Sequence, residues 1–223
     1  MAEQDVAIET LFEICPLSIT VTVTTTWLIM GLVWLVAWLI SRNLRNEPGP
    51  LQAAIEGVVL AIEQAVSEVA PPNTRHILPF IGSLWIFLVI ANLIGLVPGM
   101  HSPTRDLSAT AALAILVFLS THWFGIRIEG VHNYLRHYLT PSPVLLPFHI
   151  ISEISRTVAL AVRLFGNIMS HEFVIAIVVF LAGLFLPIPF MLLSILIGII
   201  QAYIFTVLAA VYIGAATGAI SIE

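Results

Sequence analysis

Residues 148–182 read FHIISEISRTVALAVRLFGNIMSHEFVIAIVVFLA, and this stretch determines how the whole chain is interpreted. It is mostly apolar and contains no proline. At 1.5 Å of rise per residue, a helix of this length is about 50 Å long, whereas the hydrocarbon core of a bilayer is about 30 Å thick. We therefore predict one long helix, steeply tilted in a membrane. Residues 189–222 have the same character and predict a second such helix.

The composition of the whole chain agrees with a membrane protein. Of its 223 residues, 59% are hydrophobic and only 9% are charged, while a soluble domain carries about 25% charged residues. Only helices and closed barrels satisfy all backbone polar groups in lipid. Because the apolar stretches here have the length of membrane helices, we predict an all-α membrane protein. The net charge is −5 and no basic cluster is present, which excludes nucleic acid as a partner on electrostatic grounds.

The remaining segments predict a single membrane domain, residues 1–223, with about five membrane-embedded helices and one amphipathic interfacial helix. In order, the predicted segments are an outer N-terminus at 1–15, a span at 16–40, the interfacial helix at 51–69, spans at 77–98 and 107–126, and the two tilted helices at 148–182 and 189–222.

The start of the first predicted span has a conflicting pattern. Apolar residues and threonines alternate over residues 19–24, which is typical of a strand in water. A lone strand in lipid would leave its backbone groups unpaired. The sequence therefore favours a helix over this stretch as well.

The basic residues predict the orientation. Arginines flank the predicted interfacial helix and recur in the loop after the third span, and both regions fall on the same side of a five-span topology, which is the cytoplasmic side by the positive-inside rule. The acidic N-terminus is then outside and the C-terminus cytoplasmic. Arg105, beside Asp106 in an outer loop, is the exception. The arginines that set the orientation are Arg42, Arg45, Arg75, Arg127 and Arg136.

Arg163 is the most informative single residue. It lies near the middle of the first tilted helix, among alanine, valine, leucine and phenylalanine. An arginine at the centre of a membrane helix costs about 2.5–3.5 kcal/mol on insertion scales, so such a residue indicates a functional site. The alternative is a structural arginine that merely pairs with an internal carboxylate such as Glu153.

Polar residues recur around Arg163 at steps of three and four, which places them on one face of the helix. Lipid cannot solvate such a stripe, so we expect it to face protein or a water-filled crevice. Glu172 lies nine residues after Arg163, about half a turn around the helix axis, so it points to a different neighbour. On the final helix, Gln201 and Ser194 are the polar candidates for the site. The stripe consists of His149, Glu153, Arg156, Leu160, Arg163, Asn167 and His171.

No other chemistry is evident in the sequence. It contains no phosphate-binding loop, metal-ligand cluster or nucleophilic triad, so we expect no cofactor and no catalysis by this chain alone. Two alternatives stay open from the residues alone. One is a standalone ion transporter or channel, which would transport ions as a purified chain; the other is a membrane scaffold, in which an apolar replacement of Arg163 would be harmless.

The run Arg163-Leu164-Phe165-Gly166-Asn167, in its apolar helix, resembles the most specific motif of subunit a of F-type ATP synthases. The stretch from Gln201 to residue 208 is similar to that family's second motif, and the order of predicted segments also agrees. The resemblance implies that Arg163 is the essential arginine facing the ring of c subunits. It also implies that Asn167 and Gln201 accompany Arg163.

The resemblance further implies that Glu172 lies in the outer access route, and we hypothesise that His171 belongs there too. His149 and Glu153 would border the inner route. The chain departs from the family at Ser194, where an acid or histidine is frequent, and at His149, where an acid is frequent. These departures indicate that the two routes are lined differently here.

The family also implies partners and a location. The partners would be the c-subunit ring, the b-subunit peripheral stalk and the remaining subunits of an F1Fo ATP synthase, within a lipid bilayer. The expected location is the bacterial plasma (inner) membrane. The chain would provide two aqueous half-channels that couple proton or Na⁺ translocation to rotation of the ring and so to ATP synthesis.

Overall fold

The elements of the protein were examined in a computed structural model. It describes residues 10–14, 17–42, 49–69, 74–96, 100–132, 134, 136, 146–183 and 187–218. In chain order the elements are β1 (Thr10–Ile14), β2 (Leu17–Thr20), α1 (Val21–Arg42), α2 (Pro50–Val69), α3 (Thr74–Leu93), α4 (Leu107–Glu129), α5 (Leu146–Ala182) and α6 (Pro187–Ala216).

Five helices in the described part of the chain, α1, α3, α4, α5 and α6, are long and apolar enough to cross a membrane. This confirms the predicted all-α membrane fold. The helix α5 has 37 residues and α6 has 30, which correspond to about 55 Å and 45 Å at 1.5 Å per residue. Both exceed the hydrocarbon thickness, as the sequence predicts. The end of the second predicted tilted helix, residues 219–222, lies outside the described residues, as does most of the predicted outer N-terminus.

The alternating stretch before α1 differs from its prediction. Residues Leu17–Thr20 form a strand that pairs antiparallel with Thr10–Ile14, and the helix begins only at Val21. The argument against a strand was wrong at this point because it assumed a strand without a partner. The paired strand satisfies its backbone groups across the hairpin, so the same alternation is used first as strand and then as helix.

Threonines at the start of α1 explain how a β-like composition continues as a membrane helix. The hydroxyl of Thr25 donates to the carbonyl oxygen of Val21 at 2.9 Å, and that of Thr26 donates to the carbonyl oxygen of Thr22 at 2.8 Å. These bonds within the helix satisfy the hydroxyl groups without water. Threonine therefore costs little in this part of the helix.

The core lies where α3, α4, α5 and α6 meet. The most extensive helix contacts are between α3 and α6 and between α4 and α5. Only a narrow strip of α5 is buried, since 11% of the residues in its most apolar stretch are buried within the chain. Most of its surface is therefore left for lipid or another chain. The fully buried large side chains of the core include Ile77, Leu88, Val117, Leu160, Leu164, Phe205 and Ile213.

The helix α2 is amphipathic, as predicted, and packs on α3 and α6 through one face. Val66 is buried in the core, and Ile62 and Val69 pack against it. On another face, Gln52 donates a hydrogen bond to Glu56 at 2.8 Å, one turn along the helix. The helix thus has an anchored apolar side and a polar side.

A buried polar network joins α3, α6 and the 3-10 turn Pro103–Arg105. The amide of Asn92 donates to the carbonyl oxygen of Gly198 at 2.9 Å and accepts from the hydroxyl of Thr104, also at 2.9 Å. The hydroxyl of Ser102 bonds to the carbonyl oxygen of Ala91 at 2.7 Å. Buried polar groups are tolerated because they are paired, so this network fixes the turn to the core.

We expect Gly125→Ala to destabilise the fold, because Gly125 lies where α4 meets two neighbours closely. A Cβ atom there would lie 2.5 Å from the Tyr134 ring and 2.9 Å from the Ala216 carbonyl oxygen. Overpacking of this kind costs about 1–3 kcal/mol. The midpoint of thermal unfolding in detergent, followed by circular dichroism, should fall. The control is Gly82→Ala, which meets nothing within 4 Å and should not lower the midpoint; equal midpoints for the two variants would contradict the expectation.

Candidate functional site

Arg163 lies midway along α5, on the side that the rest of the chain leaves uncovered. Its side chain is exposed, and its neighbours Val158 and Val162 are 54% and 53% exposed. Within the described part of the chain, the guanidinium makes no hydrogen bond or ion pair. In lipid, a charge placed this way requires a partner from outside the chain or a local aqueous space.

Glu153 does not neutralise Arg163. The carboxylate of Glu153 pairs instead with His122 of α4, with 3.2 Å between Oε2 and the imidazole Nε2. Ten residues separate Glu153 from Arg163, about 15 Å along a helix. The structural alternative, in which Arg163 pairs with Glu153, is therefore excluded.

Asn167 and Gln201 join the two long helices one turn beyond Arg163. The amide nitrogen of Asn167 donates a hydrogen bond to the amide oxygen of Gln201. Gln201 is 2% exposed, and its Nε2 has no partner among the described residues. A buried donor without a partner costs free energy, and this N–H lies one turn from the level of Arg163.

Glu172 pairs with Arg105 at the end of the 3-10 turn. The distance between Arg105 Nη1 and Glu172 Oε2 is 3.2 Å, and both side chains are about one-third exposed. Glu172 lies nine residues after Arg163, about 13 Å along the helix. The sequence predicted that Glu172 faces a different neighbour from Arg163, but it did not identify Arg105 as that neighbour.

The His122–Glu153 contact constrains the protons that it holds. The Nδ1 atom of His122 lies 2.9 Å from the carbonyl oxygen of Phe118, and a carbonyl oxygen can only accept. The Nδ1 atom therefore carries a hydrogen, and the Nε2–Oε2 contact needs one more hydrogen on either His122 or Glu153.

The sequence also singled out Ser194, His171, His149 and Arg156. Ser194 is half-buried and donates to the carbonyl oxygen of Phe190 in its own helix at 2.9 Å. His171 is half-buried and makes no hydrogen bond to the described residues, and His149 is exposed near the start of α5. The guanidinium of Arg156 lies 5.6 Å from the centre of the Tyr212 ring, which gives it a cation–π partner.

Arg105 and His122 are the two residues of this arrangement that the sequence did not single out as site residues. Arg105 did give a signal, since it is the one basic residue that the positive-inside rule left on the outer side. His122 gave none, because one histidine in an apolar helix is more often a structural residue. His122 becomes recognisable only when α4 is packed against α5, and Arg105 only when the 3-10 turn before α4 is packed against α5.

Comparison with known proteins bears on the identity of the chain. A family model described as "ATP synthase A chain" matches residues 23–214. The chain belongs to the ATP synthase A chain family. It is 58% identical to "ATP synthase subunit a 2" of Pelobacter propionicus, over 93% of this chain and 91% of that protein. It is 54% identical to "ATP synthase subunit a 1" of Hahella chejuensis, over 90% and 86% of the two chains. It is also 51% identical to "ATP synthase subunit a" of Legionella pneumophila, over 96% and 93%.

Membership of the ATP synthase A chain family accounts for the observed fold. The chain is a multi-pass membrane subunit of a bacterial ATP synthase, within the Fo sector, and it works in a complex with other ATP synthase subunits. The helix α5 of this subunit carries three features of the site, which are an exposed arginine at its middle and one paired carboxylate on each side of that arginine.

Proposed function

We propose that this ATP synthase a chain is the stationary part of a rotary motor, in which Arg163 couples ion translocation to rotation of a c-subunit ring. The observation that carries the proposal is the exposure of Arg163 without a partner within the described chain. An arginine in the middle of an apolar helix is stable there only if another group meets it. A carboxylate on a ring helix that passes the exposed face of α5 would be such a group.

The charge of Arg163 determines when the ring carboxylate can hold its ion. Arginine stays protonated in proteins, so Arg163 cannot carry protons itself. An arginine within about 4–6 Å lowers the pKa of a carboxyl group by about 1–3 units, so the ring carboxylate is ionised beside Arg163. It can move into lipid only after a proton or Na⁺ neutralises it. The ring therefore advances only when each carboxylate reloads.

Two aqueous half-channels, one to each side of the membrane, give this rule a direction. Glu172, with His171, would border the outer route, and Glu153, with His149, the inner route. The two carboxylates lie on opposite sides of Arg163 along α5, which supports two separate routes. Each elementary charge that crosses gains about 2.3 kcal/mol per 100 mV. The positive charge of Arg163 would also oppose a direct cation leak between the routes.

The same proposal fixes the orientation and the partners. The N-terminus would be outside and the C-terminus cytoplasmic, as the positive-inside rule predicts, with α2 at the cytoplasmic interface. The ring would contact the exposed face of α5, and the b-subunit stalk would hold the chain against the rotor. The surroundings of the ring carboxylate, not this chain, would select H⁺ or Na⁺.

Disulfide cross-linking tests whether the face of α5 that carries Arg163 meets the ring. We expect Val162→Cys, beside Arg163, to form a cross-link with a cysteine at mid-membrane on the outer helix of the ring. The background would carry Cys15→Ser so that no other thiol of this chain reacts. The control is Leu32→Cys on α1, which is 48% exposed on a helix that packs on α3. A cross-link from α1 and none from α5 would place the ring elsewhere and refute the proposal.

A further inference from the structure

The Arg105–Glu172 ion pair has no role in the mechanism given so far. Arginine and glutamate each lose water when they are partly buried, yet both side chains here remain about one-third exposed. The pair is therefore neither a fully buried structural salt bridge nor a free surface contact. A small cation that arrives through water can reach the carboxylate of Glu172.

The backbone that carries Arg105 is held firmly. The amide of Arg105 donates to the carbonyl oxygen of Ser102 at 3.1 Å and so closes the 3-10 turn. Thr104, the preceding residue, is 1% exposed and bonds to Asn92 in the core. Asp106, the following residue, caps α4 by accepting from the backbone N–H of Ser108 at 2.9 Å. The guanidinium is thus presented to Glu172 from a fixed base.

Charge then defines what Arg105 does to an arriving ion. An ionised carboxylate only accepts hydrogen bonds or binds cations, and an arginine only donates. Arg105 contacts one of the two carboxylate oxygens of Glu172, so a proton or Na⁺ can still reach the carboxylate, but it meets a fixed positive charge 3.2 Å from that oxygen. Arg105 and the coupling ion compete for one group.

We propose that Arg105 is a positioning residue of the outer route, whose guanidinium competes with the coupling ion for Glu172 and so keeps that ion weakly held. The inference rests on the proposed role of Glu172. Weak holding has a function in a conducting route, because an ion must bind well enough to enter and weakly enough to leave. Arg105 would thus lower the affinity of Glu172 for the ion and raise the rate at which the ion leaves.

The ionisable groups of α4, which are His122, Arg127 and Glu129, lie in its second half, away from its start beside Arg105. The helix α6 carries only the tyrosines Tyr203 and Tyr212 among its described residues. His171 is adjacent on α5, and Asp106 and His101 flank the 3-10 turn. In the described part of the chain, Arg105 is the group within ion-pair distance of Glu172. A change in ion affinity on removal of Arg105 is therefore attributable to this pair.

The test measures ion uptake by the intact ATP synthase in liposomes, driven by a membrane potential, as a function of the ion concentration on the entry side. Proton and Na⁺ concentrations are varied separately. For Arg105→Gln we expect the half-saturating concentration of the coupling ion to fall about three- to tenfold, since both groups are partly screened by water. The maximal rate should fall too, because the ion leaves more slowly. For protons, the midpoint of the profile would move to higher pH.

Three comparisons make the result specific. Arg105→Lys keeps the charge and should retain most of the wild-type half-saturation, whereas Arg105→Ala should repeat the effect of Arg105→Gln. Arg127→Gln removes an exposed arginine from the other end of α4 and should change neither parameter. An unchanged half-saturating concentration in Arg105→Gln, with or without a lower maximal rate, would overturn the inference.

Glu172→Gln separates this inference from the proposed function. In a Glu172→Gln background, Arg105→Gln should no longer shift the half-saturating concentration, because the competition has no target; a shift that persists would overturn the inference. If Glu172→Gln slows uptake while Arg105→Gln has no effect, the role of Arg105 falls and the outer route stands. If neither variant has an effect, the outer route proposed for Glu172 falls as well.

Discussion

Arg163→Ala should abolish ATP synthesis driven by an ion gradient while the complex still assembles in the membrane. Without the guanidinium, a ring carboxylate that reaches α5 is no longer favoured in its ionised form, so rotation loses its link to reloading. Assembly should survive because the substitution removes a charge whose burial costs about 2.5–3.5 kcal/mol. ATP synthesis in inverted vesicles and the amount of assembled complex are the two measurements.

Arg156→Ala is the matched control for this prediction. Arg156 is the same residue type on the same helix, two turns earlier and also exposed. Its loss removes the contact with the Tyr212 ring, worth about 0.5–1 kcal/mol, and ATP synthesis should continue. A second measurement is the passive ion leak, which should rise in Arg163→Ala because a positive barrier between the routes is gone. Normal ATP synthesis by Arg163→Ala would refute the central role of Arg163.

Glu172→Gln should slow passive ion conduction through the Fo sector by about a hundredfold or more, since a positioned proton-transfer group contributes about 10²–10⁴-fold. The amide keeps the size of the side chain but cannot be ionised, so it no longer binds an entering cation. It also leaves Arg105 without its carboxylate, which adds a repulsive charge to the route. Ion flux into vesicles stripped of the catalytic sector measures the effect.

Glu63→Gln provides the control for the loss of a carboxylate. Glu63 is exposed on α2, away from the helix that carries Arg163, and its replacement should leave conduction at the wild-type rate. Equal conduction by Glu172→Gln and Glu63→Gln would remove Glu172 from the pathway. Loss of conduction in both variants would indicate a general effect of charge instead of a local one.

The sequence predicted those features that depend on the solvent and on positions along one helix. Lipid imposes length and apolarity on α5 and α6, so their presence could be predicted from composition and the absence of proline. The position of Arg163 midway along an apolar helix follows from one helix alone. That Asn167 and Gln201 accompany Arg163 was implied by the family resemblance, and the hydrogen bond between the two amides agrees with it.

The features that the sequence did not predict depend on contacts between distant segments. The strand at Leu17–Thr20 needs β1 as its partner, and periodicity within one segment carries no information on pairing. Likewise, Arg105 is 67 residues from Glu172 along the chain, and the helical packing brings them together. The sequence placed the two carboxylates correctly along α5, but their partners come from other segments, His122 from α4 and Arg105 from the 3-10 turn before it.

The helix α6 is tied on two sides at almost the same depth. Gly198 accepts a hydrogen bond from Asn92 of α3, and Gln201, one turn later, accepts one from Asn167 of α5. In the proposed motor, a turning rotor exerts a sideways force on α5 at the level of Arg163. These two bonds transmit that force through α6 into α3, so the three helices resist the torque of the rotor together.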